Sequence, residues 1–283
     1  MTFLRETAVV ARYELAAMLG PRGILVLAGY GTISLGIGAA LSAITQKITS
    51  SIGAAMDPAT AKAQIMAELA KPEAKQQLSF LLTRFRAEAL FDAVVSGQMP
   101  WLATFVLLLS SAVLSGLVFM AGYERISSDL TTGFSRYLFL RVRRESYLAG
   151  KLLGLWAGVM ACVVIVHVAL IALGGSSPGF DAAENFRILP KVWVGLSVFV
   201  LGYGSLTLAA SSMLGRPFVV LALGSTILFG LWILSFFTVV GELWMGNWDA
   251  GLLVADPKAI AVFLAHAIVG LAIAWYGIAR RDV

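Results

Sequence analysis

Charge, cysteine and histidine are scarce in this chain. Only 13% of its 283 residues are charged, about half the share found in soluble domains. The single cysteine, Cys162, excludes a disulfide framework within the chain. It lies in an apolar segment and reads as a small buried hydrophobe. The two histidines, His167 and His266, also stand in apolar segments, with no carboxylate near them in sequence. They read as neutral side chains hydrogen-bonding between helices. There is no His/Cys cluster and no zinc-protease motif, so no metal site is expected. No basic patch is interleaved with exposed aromatics, which argues against a nucleic-acid partner.

What is present is hydrophobicity, at 59% of residues. Charge is missing from 23–46, 93–123, 152–180, 192–215, 217–241 and 259–279. A helix needs about 20 apolar residues to cross the hydrocarbon core. The first run is too long and starts too late for a signal peptide. The runs do not alternate polar and apolar residues, so a barrel is excluded in favour of helices. The expected class is all-α integral membrane, with six transmembrane helices in a single domain over 1–283.

Six spans put both termini on one side. That side carries twelve basic and six acidic residues, and the other nine and ten. By the positive-inside rule the basic side is the cytoplasm. No Asp, Glu, Lys or Arg falls within a run. This weighs against an ion-coupled secondary transporter and against an intramembrane protease. Ala149-Gly150-Lys151-Leu152 resembles the end of a phosphate loop. It has Leu152 where Ser or Thr must reach Mg²⁺, and Glu145 where the first glycine belongs. The chain therefore has no nucleotide site of its own.

Residues 2–19 mix apolar side chains with Arg5, Glu6, Arg12 and Glu14. They suit a helix lying in the cytoplasmic interface, broken by Gly20-Pro21. The first span, about 23–45, carries Gly29, Gly31, Gly36 and Gly38, small residues that permit close packing. Residues 46–98 form an exterior segment of two short amphipathic helices. Asp57-Pro58 is a start signal and Pro72 a break. Leu78, Leu81, Leu82, Phe85 and Ala89 recur at helical spacing after it. The other spans are expected at about 100–122, 150–173, 192–213, 218–240 and up to Ala279. Gly150, Gly154 and Gly158 form a helix-packing face. Leu214-Gly215-Arg216-Pro217 is short enough to make the fourth and fifth spans a tight antiparallel pair. Trp244 and Trp248 read as outer interfacial anchors.

The polar stretch 122–151 holds six of the 21 Lys and Arg residues. Ser127-Ser128-Asp129 can cap a helix, with aspartate favoured near its start. Leu130, Phe134, Tyr137, Leu138 and Arg141 would line one side of it. A basic turn follows at Arg143-Arg144. Such a knob suits insertion into a groove of a cytoplasmic partner.

This arrangement resembles the permease subunits of type-2 ABC exporters. The likeness rests on Glu124-Arg125, Gly133, Tyr137 to Leu140, Arg143-Arg144, and Gly150-Lys151 followed by Gly154. Arg280-Arg281-Asp282 also looks like that family's ending. The chain departs from the pattern at Arg141-Val142, where the family often has proline, and at Thr132-Gly133-Phe134. The resemblance implies a cytoplasmic coupling loop over 123–150, with Asp129 to Arg141 as the coupling helix. Glu124, Arg125, Asp129, Gly133, Tyr137, Leu138, Arg141, Arg143 and Arg144 would couple to the ATPase. It implies a non-enzymatic permease in the bacterial inner membrane. The partners would be two copies of a cytoplasmic ATPase holding ATP and Mg²⁺, a second permease copy or related permease, membrane lipid, and an accessory periplasmic protein. The alternatives are a membrane scaffold subunit and an ion-coupled transporter.

Overall fold

A computed structural model describes residues 2–53, 60, 67, 70–84, 87–99, 101–174, 182–235 and 244–281. Every regular element among them is helical. Helix α1, Phe3–Met18, follows Thr2 in extended conformation. Gly20 separates it from α2, Pro21–Gly53, which opens on proline, a residue well suited to a first helical position. This helix runs past the expected end near 45, because no proline or glycine interrupts the chain from Gly38 to Gly53. Next come α3, Pro72–Arg84, and α4, Glu88–Val95. Lys75 and Asp92 join them by an exposed ion pair of 2.7 Å. The start signal at Asp57 and the apolar position Phe85 lie outside the described residues.

Helix α5, Trp101–Gly122, covers the second charge-free run. Two short helices follow, α6, Ser127–Thr132, and α7, Phe134–Phe139. Helix α8, Arg144–Gly174, begins well before the expected start at 150. Gly150 and Lys151 are therefore two turns inside it, and the connecting segment ends at Arg143 rather than 150. Helix α9, Ala182–Leu214, continues through Pro190. Helix α10, Pro217–Val219, passes through a π turn at Val220–Gly224 into α11, Ser225–Ser235. After a 3₁₀ turn at Met245–Asn247 come α12, Asp249–Leu253, and α13, Pro257–Ala279.

Among the described residues, four helices are long and apolar enough to cross a membrane: Pro21–Ala40, Arg144–Ala172, Asn185–Leu214 and Pro257–Ala279. The charge-free runs led us to expect six. The second run is the single helix α5. The fifth is divided by its π turn, and the described residues stop at Ser235. Large apolar side chains of α13 face outward, among them Ile268, Val269, Trp275 and Tyr276. A lipid environment removes the cost of such a surface.

Helix α9 sits at the centre, packed along α13 and against α5 and α8. Ser205 and Ser212 of α9 lie against Gly270 and Gly277 of α13, matched at a spacing of seven. These small residues draw α9 to α13; of the fifth run, expected to pair tightly with α9, residues 236–241 lie outside the described residues. Among the described residues, α9 meets that run mainly over α10 and the π turn. The segment 244–253 tucks between α5, α9 and α13, burying Trp244, Met245, Leu252 and Leu253. Trp244 is thus no interfacial anchor. Its ring meets His266 edge-on at 6.4 Å. In α2, Gly31 and Gly38 face α8, whereas among the described residues a side chain at Gly29 or Gly36 would meet nothing. Two of the four expected packing glycines therefore meet a neighbour among the described residues.

Candidate functional site

On a helix, residues four apart lie on one face. Glu6, Val10, Glu14 and Met18 have that spacing in α1, and Gly150, Gly154 and Gly158 have it in α8. The two faces meet. A side chain at Gly150 would collide with Val10, at Gly154 with Glu14, and at Gly158 with Met18. Arg5, Arg12, Leu4, Val9 and Tyr13 point away from α8 and are exposed. One face of α1 is therefore exposed and mixes charged with apolar side chains. The other face carries two carboxylates into the protein.

Glu14 ends in a buried cluster of four charges. Its Oε1 accepts from Lys151 Nζ at 2.5 Å, and its Oε2 from Arg125 Nη1 at 3.1 Å. Lys151 Nζ also lies 2.6 Å from Asp129 Oδ2. The Tyr147 hydroxyl donates to that same oxygen at 2.8 Å. Glu14 and Lys151 side chains are only 2% and 3% exposed, Arg125 and Asp129 only 12% and 15%. Two positive and two negative charges cancel, which is the condition for burying them at all. Desolvation offsets most of the attraction in such a group, so its net stabilisation is small. Losing one member is costly, because a buried charge is left uncompensated. The cluster thus fixes how α1, α6 and α8 register on one another.

Helix α6 is also tied to the end of α9. The N–H groups of Ile126 and Ser127 both donate to Ser211 Oγ, at 3.1 and 2.9 Å. The expected cap from Ser127-Ser128-Asp129 is replaced by this serine of another helix. The Ser127 hydroxyl instead donates to the Tyr123 carbonyl, and the Asp129 carboxylate turns to Lys151. Thr131 Oγ1 donates to the Gly215 carbonyl at 2.9 Å. Gly215 has φ +69°, and the Arg281 guanidinium fills the space a Cβ would need. Arg281 donates to the Met213 carbonyl at 2.9 Å, satisfying the end of α9.

The single coupling helix expected from Asp129 to Arg141 is two helices. Gly133, at φ +73°, ends α6 and starts α7. Only glycine takes that conformation without strain. The bend splits the expected apolar line. Leu130, Leu138, Phe139 and Val142 pack inward around Tyr147, Ile126 and Leu208. Phe134, Tyr137 and Leu140 point outward, Tyr137 and Leu140 being 74% and 82% exposed. Phe134 stacks on Tyr13 of α1 at 6.3 Å between ring centres.

The remaining sequence-nominated residues divide by position. Glu124 makes a 3.5 Å pair with the largely exposed Arg22. Arg125 enters the buried cluster. Arg141 is exposed. Arg143 donates its backbone N–H to Glu6 Oε2 at 3.1 Å. This bond holds the Glu6 carboxyl below its usual range, against an opposing effect of burial. Arg144 sits over the Phe139 ring at 5.8 Å. Asp282 lies outside the described residues.

Sequence reasoning missed Glu6, Glu14, Tyr147 and Ser211 as members of this site. For the two glutamates a signal existed, since their face on α1 repeats every four residues like the glycines of α8. For Ser211 there was none, because its role depends on α9 ending beside α6. His167 is fully buried, and His266 Nδ1 lies 2.8 Å from the Val262 carbonyl of its own helix. Among the described residues no group of His, Cys, Asp and Glu could hold a metal ion. A scan of protein-family models and a search of curated proteins match nothing to this chain.

Proposed function

We propose that the chain is the membrane-spanning permease subunit of an ATP-driven, ABC-type exporter, working with a separate cytoplasmic ATPase. The observation that carries this reading is the buried four-charge cluster. It joins a projecting pair of helices, with Tyr137 and Leu140 exposed, to a long membrane-capable helix and to α1. A force applied at α6 and α7 would pass through Asp129 and Lys151 into α8, and through Ser211 into α9. An unanchored loop could not transmit it.

In this reading α5 and the fifth run complete six spans, both termini face the cytoplasm, and the membrane is the bacterial inner membrane. Two permease copies, identical or related, pair with two ATPases that bind ATP and Mg²⁺. The exposed Phe134, Tyr137, Leu140 and Arg141 enter a groove of the ATPase. Asp129 and Arg125 act behind that contact as positioning residues.

Co-purification of the intact chain with a cytoplasmic ABC-type ATPase from the same cells tests the reading. Capture is expected, and Tyr137→Ala with Leu140→Ala should weaken it at least tenfold without unfolding the permease. If no ATPase is captured, or if removing 129–141 leaves capture unchanged, the reading fails.

A further inference from the structure

Below the cluster, a cavity of about 380 Å³ opens where α7 meets the start of α8. Arg136, Arg143 and Arg144 all line it, with Phe139, Leu140 and Val142 as its apolar part. Among the described residues none of these three guanidinium groups forms an ion pair, whereas neighbouring Arg125 and Lys151 do. Arg143 feels Glu6 only at longer range. The one carboxylate in the lining, Glu145, accepts from Trp275 Nε1 at 3.4 Å. Trp275 and Tyr276 are half-exposed on the last turns of α13, and Arg280 lies over the Tyr276 ring at 5.3 Å. Exposed Trp and Tyr beside arginine at a spanning helix end mark the headgroup level of a bilayer.

We infer that this cavity holds the phosphate headgroup of an anionic phospholipid from the leaflet on the basic side of the protein. Three unpaired guanidiniums supply forked donors matched to phosphate oxygens. The apolar rim at Val142 accepts the start of the acyl chains. The bond from Glu145 to Trp275 places the cavity mouth at the lipid surface rather than in open solvent. Basic pockets beside spanning helices are sites of this kind. The inference rests on the orientation proposed above and is independent of the ATPase.

Native mass spectrometry of the full chain tests it, using mixed micelles with equal phosphatidylglycerol and phosphatidylcholine of matched acyl chains. Retention of phosphatidylglycerol is expected to exceed that of phosphatidylcholine by about tenfold, as a few basic residues at an anionic surface provide. Arg136→Gln with Arg143→Gln and Arg144→Gln should abolish most of the preference, while Lys75→Gln in α3 leaves it intact. Arg136→Gln alone, on the exposed face of α7, serves if the triple variant does not fold, and should reduce the preference measurably. Equal retention of both lipids, or an unchanged preference in the variants, overturns the inference. So does stabilisation by inorganic phosphate through these arginines without lipid preference, which would mean a free anion site. If the variants lose ATPase capture yet keep the lipid preference, the cavity is a protein interface and the lipid reading falls.

Discussion

Around α1, α6 and α8, four charges are buried as interlocked pairs, and every carboxylate oxygen of Glu14 has a donor. Toward the other end of α9, the segment 244–253 buries mainly apolar side chains. Met245, Leu252 and Leu253 pack there on Phe199 and Phe263. Its one carboxyl, Asp249, keeps an Oδ1 that is closed off from solvent and has no hydrogen-bond partner among the described residues. The first region is specified by charge pairing and the second by shape. Apolar packing tolerates small shifts, whereas a paired charge allows only the arrangement that keeps its partner. The permease reading proposed above assigns the transmission of force to the first region, where register is fixed by paired charges.

The largest difference between the regions should appear on removing one member of the cluster. Lys151→Met leaves Glu14 and Asp129 short of a cation and should cost about 3–5 kcal/mol, read by thermal or denaturant unfolding in detergent. Glu14→Gln combined with Lys151→Met should cost clearly less than the two single changes added together, because the pair is then removed as a unit. Strict additivity would mean the cluster does not act as one. Gly154→Leu should cost about 1–3 kcal/mol by forcing α1 off α8, and limited proteolysis should then cut α1 first. Ser211→Ala should cost about 1–3 kcal/mol, since the Ile126 and Ser127 N–H groups lose their acceptor. Amide exchange should rise at those two positions and not across α9.

The smallest effects concern pH, and they have opposite signs at the two ends. The Glu6 carboxyl is held below its ordinary value of 4.5 by the Arg143 N–H. Its contribution is present above 4.5 and is lost as pH falls through the lower folded value. Glu6→Gln should flatten the acid limb of the stability profile. Burial raises the Asp249 carboxyl well above its ordinary value of 3.8. Stability is therefore greatest below 3.8 and declines as pH rises through the higher folded value. Asp249→Asn should remove that decline and leave the acid limb unchanged. The same slope in wild type and Asn variant would show that Asp249 is hydrated, and would narrow the contrast between the two ends.

Much of the fold is legible because charge-free length and the positions of proline and glycine are local properties. The break at Gly20-Pro21, the long helices through 144–174 and 257–279, and a glycine face spaced by four can all be read along the chain. Helix starts were less legible. Arg144 begins α8 earlier than hydropathy indicates, because a polar first turn is as good a helix as an apolar one. Trp244 illustrates a different failure. A tryptophan beside a span usually sits at the interface, but here 244–253 folds back among α5, α9 and α13, and no local pattern announces it.

By itself, the sequence determined that this chain is helical and membrane-bound in character, where its basic stretch lies, and which face of α8 is small enough for a neighbour to approach closely. Those follow from composition and periodicity, which act within one helix. Only the tertiary structure decided that α1 is that neighbour, that Asp129 turns inward to Lys151 while Tyr137 and Leu140 stay outside, and that Ser211 caps α6. Each of these depends on residues about 18 to 137 positions apart in sequence. Charge pairing and capping act over a few ångströms of space and are indifferent to distance along the chain.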